Sequence, residues 1–218
     1  MNVQYIIKNG LYLPFISILM YFIVGDIYLP TFFLLKSFSV SYFMNFYDLY
    51  ENPEWVKWKH MTRLTDTGHI ASLLFYYDKS FVPLVHNVHF IITFAYHSTK
   101  ILLGLKEAVE VENKEICSYV QDLHEFANHS IHYILVSHYI MNNQKDYCLF
   151  NESSITLTYI WIYTWLFCIY IPWVYFTNDY LYSILEPKIP MKTRLSVILF
   201  VHCLVSVSNQ VGSYLEGC

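Results

Sequence analysis

Long apolar runs, spread along the chain and nearly free of charge, constrain this sequence more than any other feature. Six stand out: Leu11 to Leu35, Met61 to Tyr77, Phe81 to Leu105, Asn128 to Met141, Ile155 to Phe176 and Leu195 to Tyr214. A helix needs about 20 apolar residues to cross a hydrocarbon core about 30 Å thick. Inside that core only helices and closed barrels satisfy every backbone amide. Barrel strands are about ten residues long and alternate apolar with polar. These runs are longer and almost continuous, so they predict helices. Composition agrees, with 56% hydrophobic and only 14% charged residues, where an ordinary soluble domain carries about 25% charge. The expected fold is all-α: a polytopic transmembrane helix bundle of about six spans, with residues 1–218 as a single integral membrane domain.

The first run is interrupted by Gly25 and Asp26, and no small-residue cleavage site follows it. It reads as a retained span, not a cleaved signal. The fourth run has fourteen residues and would rise only about 21 Å as a helix. It either extends backward into "ICSYVQDLHEFA" or enters only part of the bilayer. The stretch from Lys106 to Glu125 is acidic and is expected as a surface helix. Net charge is −4 without a basic patch, so nucleic acid is not an expected partner. The five cysteines lie far apart with no metal-type spacing; they read mostly as isolated thiols rather than a disulfide framework.

With six spans, Lys36, Lys57, Lys59, Arg63, Lys100, Lys106, Lys114, Lys188, Lys192 and Arg194 fall on one face, against Lys8, Lys79 and Lys145 on the other. The positive-inside rule puts the first group in the cytosol. Both termini and the loop Asn142 to Ser154 then lie on the lumenal or outer side. That loop carries the sequon "NES" at Asn151.

Polar groups in hydrocarbon are costly and tend to face a bundle interior. Thr62, Thr65, Asp66 and His69 recur at helical spacing in the second run. His86, His89, Thr93, Tyr96, His97 and Lys100 do so in the third, and Asn128, His129 and His132 open the fourth. Three polar stripes could thus line one interior. The second and fourth runs both enter from the cytosolic face, which places Thr62 and His132 at similar depth. A hydroxyl and an imidazole at matching depth can form a nucleophile–base pair. The structural alternatives are a Thr bonded to the carbonyl one turn earlier, Asn128 as a helix N-cap, and His129 and His132 as interhelical partners.

Metal binding is the sharper competitor, because imidazole suits iron and zinc. Membrane di-iron lipid oxygenases use HxxxH and HxxHH boxes. Here no HH pair and no HExxH occurs, and the HxxH pairs His86/His89 and His129/His132 are expected at opposite faces. Neither a metal nor another cofactor is expected on this spacing.

Three blocks carry a family resemblance. "WKHMT", Trp58 to Thr62, looks like a W-K-x-x-T motif at the start of a span; "NHSIH", Asn128 to His132, looks like N-H-x-x-H; and "YSILEPKIP", Tyr182 to Pro190, resembles a Y-x-x-L-E-x-I segment before the last span. "GSYLE" near the end adds a fourth, weaker likeness. In order and approximate spacing, over about residues 55 to 216, the chain resembles the androgen-induced protein and androgen-dependent TFPI-regulating protein family of multispanning membrane proteins. That family's members are threonine hydrolases of fatty acid esters of hydroxy fatty acids. The resemblance implies Thr62 as nucleophile and His132 as base; as supporting residues, Asn128, His129 or Asp66 could orient the imidazole or stabilise the oxyanion. Ser137 stands where the family has a proline, "IYIPWVYFTNDY" replaces its late fifth-span pattern, and the loop before the fourth run is longer and more acidic.

The expected function is therefore a membrane-embedded lipid ester hydrolase. Its partners would be a lipid substrate and the bilayer itself. The expected location is an endomembrane such as the endoplasmic reticulum, since no other address signal is visible. A non-catalytic scaffold or lipid-binding protein is the alternative, and a His-metal lipid oxidoreductase is a third.

Overall fold

The computed structural model describes residues 19, 22–23, 62–103, 126–143 and 148–218. Most of the first apolar run, the first four residues of the WKHMT block and all of the acidic stretch lie outside these. Among the described residues all regular structure is helical. Helix α1 spans Leu64–Tyr77 and α2 spans Val82–Leu103, joined by a 3-10 turn at Lys79–Phe81. A π-helical segment, Ala127–Ile131, leads into α3, His132–Asn142. Helix α4, Glu152–Thr164, runs through a second π segment, Trp165–Tyr170, into α5, Ile171–Thr177. Helix α6 is Met191–Glu216.

Helix α2 is central and packs against α1, α3, α4 and α6. Its apolar run explains this, since Leu84, Val85, Val88, Ile91 and Ile92 are all buried. Gly68 lets α1 approach closely: a Cβ there would run into Ile92 and come within 3.2 Å of Val88. The start of α1 is tied to the late chain, because Trp165 Nε1 donates to the Thr62 carbonyl at 2.8 Å and Leu64 N donates to the Tyr182 hydroxyl at 2.9 Å.

Two described helices are long and apolar enough to cross a membrane: Glu152–Thr177, counted through its π segment, and Met191–Glu216. Both turn large apolar side chains outward, Ile160, Phe167 and Phe176 on one and Ile198, Leu199 and Phe200 on the other. Helix α1, at 14 residues, rises about 21 Å, short of a full crossing. The start of α4 is built by a capping box. Asn151 Oδ1 accepts from Ser153 N and Ser154 N, and Ser154 Oγ accepts from Asn151 N. Such a cap satisfies amide groups that the first turn leaves unpaired.

Two expectations need correction. Cys148 and Cys218 are not isolated thiols; they form a disulfide across 70 residues of chain, while Cys168 and Cys203 are free and exposed. Sequence spacing hid the pair because its partners meet only when α6 folds back beside the segment before α4. There the Glu216 carboxylate accepts from Leu149 N at 2.8 Å and Phe150 N at 3.3 Å, and the Phe150 ring covers Gly212. Nor is Asn128 an N-cap. Phe126 already has helical backbone angles, and the π segment carries the helix past Asn128 without a break.

Candidate functional site: a buried histidine cluster

Three imidazoles from three helices meet in the interior. His69 of α1, His89 of α2 and His132 of α3 are each at most 1% exposed. One ligand nitrogen from each lies within 4.8 Å of the others. The His89 and His132 rings stack in parallel, with centroids 4.1 Å apart and planes inclined by 4°. His69 tilts against both, at 5.5 Å and 5.6 Å. The HxxH pairs were expected at opposite faces, and their members His89 and His132 are instead in ring contact. The reason is that α3's helical path begins before Asn128, so His132 lies more than a turn inside it, level with the middle of α2.

A hydroxyl sits among these rings, and it belongs to Ser72. Its Oγ is 2.9 Å from His89 Nε2 and 3.0 Å from His132 Nε2, and 3.3 Å from the Gly68 carbonyl one turn earlier. One hydroxyl hydrogen serves three neighbours. When it goes to His132 Nε2, that nitrogen is an acceptor and His89 Nε2–H can donate to the oxygen. When it goes to Gly68, both imidazoles donate. The first arrangement is the one a nucleophile–base pair needs.

Of the residues singled out from sequence, His132 is in this cluster. Thr62 is half-buried and lies two residues before α1, ten residues before Ser72. The rise from Leu64 to Ser72 alone is about 12 Å, so Thr62 stands well above the hydroxyl that touches His132. Asp66 is buried in the first turn of α1, where the helix dipole favours a carboxylate. His129 is used in packing: its carbonyl accepts from Thr93 Oγ1 at 2.5 Å and its ring stacks on Tyr96 at 3.8 Å. Asn128 lies in the π segment just before it. Beside the cluster, His97 Nε2 is 2.7 Å from Ser130 Oγ.

Ser72 was missed in the sequence, yet the signal was present. The stripe Thr62, Asp66, His69 continues by one more turn to Ser72. Ser72 is a small hydroxyl in an apolar stretch, the type most often bonded to its own helix, and only the approach of α2 and α3 sets it apart. A second buried polar group lies elsewhere: Asn87 Nδ2 donates to Thr158 Oγ1 and to Asn209 Oδ1, each at 3.1 Å, and Ser154 Oγ donates to the same Asn209 oxygen at 2.6 Å. It joins α2, α4 and α6, with the buried His86 Nδ1 3.1 Å from Asn87 Oδ1, and reads as a helix clamp. No protein-family model, no curated protein and no solved structure matches the chain.

Proposed function

We propose that this protein is a multispanning membrane hydrolase of lipid esters, with His132 as general base and fatty acid esters of hydroxy fatty acids as the substrate class. One observation carries the reading: a fully buried imidazole, His132, with its Nε2 3.0 Å from a side-chain hydroxyl. The family resemblance assigns the nucleophile to Thr62, and the geometry favours Ser72. The hydroxyl oxygen would attack the ester carbonyl carbon while His132 Nε2 takes its proton. The imidazolium then returns that proton to the departing alkoxide, which leaves as the alcohol. Water, deprotonated by the same nitrogen, cleaves the acyl-enzyme and releases the fatty acid. Apolar helix faces offer acyl chains the burial they favour.

About six spans fit this reading, with α1, α2 and α3 beside the two long apolar helices and the run Leu11 to Leu35, most of it outside the described residues, expected as the sixth. The disulfide and the exposed sequon residue Asn151 favour an oxidising lumen on their side of the membrane, as in the endoplasmic reticulum. The test is hydrolysis of such an ester by the full chain purified in detergent. Serine as nucleophile predicts loss of activity in Ser72→Ala and His132→Ala with activity kept in Thr62→Ala. Loss in Thr62→Ala with Ser72→Ala active returns the role to Thr62. Wild-type rates in all three variants overturn the hydrolase reading.

A further inference from the structure

We infer that His69, His89 and His132 together form a site for a zinc-class divalent cation, with Ser72 Oγ as an oxygen ligand, and that filling it switches hydrolysis off. The metal site stands on geometry alone, and the inhibition rests on the hydrolase reading above.

Three nitrogen donors and one oxygen, each from a buried side chain, are the donor set of a four-coordinate zinc site. The ligand nitrogens lie within 4.8 Å of one another. Tetrahedral zinc with bonds of about 2.0–2.1 Å holds its nitrogens roughly 3.3 Å apart. Each imidazole therefore has to move inward by less than about 1 Å, and because a metal lies in the plane of each ligating ring, the parallel His89 and His132 rings, with centroids 4.1 Å apart, also have to turn out of their stack. His89 and His132 already turn Nε2 to the same oxygen, at 2.9 Å and 3.0 Å. The donors come from three helices, α1 and α2 in close packing at Gly68, so the fold already gathers the three imidazoles. Imidazole ligands favour zinc, copper and nickel over magnesium and calcium.

Inhibition follows from a lone pair. The imidazole nitrogen that takes a proton from a hydroxyl cannot at the same moment be bound to a metal. With zinc in place His132 Nε2 is occupied, and the Ser72 oxygen is held away from a substrate carbonyl.

The test uses the full chain purified in detergent, stripped with EDTA and titrated with zinc chloride. Bound metal is measured by elemental analysis and by competition with a chromophoric chelator, and ester hydrolysis is followed in parallel. About one equivalent per chain is expected, with affinity lowered at least about tenfold by His69→Gln and by His89→Gln. Hydrolysis should fall in step with occupancy and return on adding EDTA. Because a variant can fail to fold, the wild-type chain loaded with cobalt gives an independent readout, the visible ligand-field bands of tetrahedral cobalt. Substoichiometric zinc and no such bands overturn the site. Stoichiometric binding with rising hydrolysis overturns the inhibition and makes the metal catalytic. Stoichiometric binding by a chain that never hydrolyses esters, metal-free or loaded, keeps the site and removes the hydrolase reading together with the inhibition.

Discussion

The α1–α2–α3 face and the α4–α6 pair are built on opposite plans. The first turns polarity inward: His69, Ser72, His89 and His132 are buried together. The second turns apolar bulk outward, with Phe167, Phe176, Leu199 and Phe200 exposed. Only the second registers as membrane-spanning by length and hydropathy. The difference teaches that such a criterion selects helices by length and apolar average, while the buried polar cluster lies on α1 and α3, of 14 and 11 residues, and on α2, whose run is broken by histidines. The two halves meet at the Asn87, Thr158 and Asn209 clamp.

The comparison can be broken most decisively at the cluster. His132→Ala is expected to lower kcat/KM for a lipid ester by about a thousandfold or more, roughly 4 kcal/mol of transition-state stabilisation, while Tyr214→Ala on the outer face of α6 changes it less than about twofold. Equal losses in both would mean that the polar interior holds no privileged chemistry. Next in size is the disulfide. Cys148→Ser is expected to destabilise the chain by about 2–4 kcal/mol, read as a lower unfolding midpoint in detergent, with a mobility shift on non-reducing gels. An unchanged midpoint would show that the end of α6 is held by Glu216 and packing alone.

The clamp comes third. Asn209→Leu strips an acceptor from Asn87 and from Ser154, at about 0.6–2 kcal/mol for an interhelical bond in a membrane protein. Thermal unfolding should register the loss with catalysis in the surviving folded fraction unchanged; a changed KM would extend the site across both halves. The smallest effect is expected at the α4 start, where Asn151→Ala removes a capping box worth about 1 kcal/mol. The same variant sharpens the topology: if Asn151 faces a lumen, it also abolishes any glycan shift on a gel of protein made in microsomes.

Much of this was legible in the sequence. The apolar runs announce helices, and the five that fall among the described residues are helical with ends a few residues from those expected. The polar stripes were legible too, because a helical period places His69 three residues before Ser72 and on nearly the same side. His132 stood out by its motif. Its partner did not. A serine in an apolar run satisfies itself on its own helix as readily as on another, so spacing cannot tell a packing hydroxyl from a reacting one.

By itself, then, the sequence pointed to helices along the apolar runs and to polar stripes on three of them. These are local properties, carried by periodicity and by the free energy of moving each side chain out of water. Tertiary structure alone decided which groups meet: His89 with His132, Ser72 with both, Cys148 with Cys218, Asn87 with Asn209. Such pairings depend on helix depth and rotation, and an offset of one turn, about 5.4 Å, is enough to separate a hydroxyl from the imidazole it would serve. The π segment that carries α3 back past Asn128 sets that depth for His132, and no count of residues along the chain reveals it.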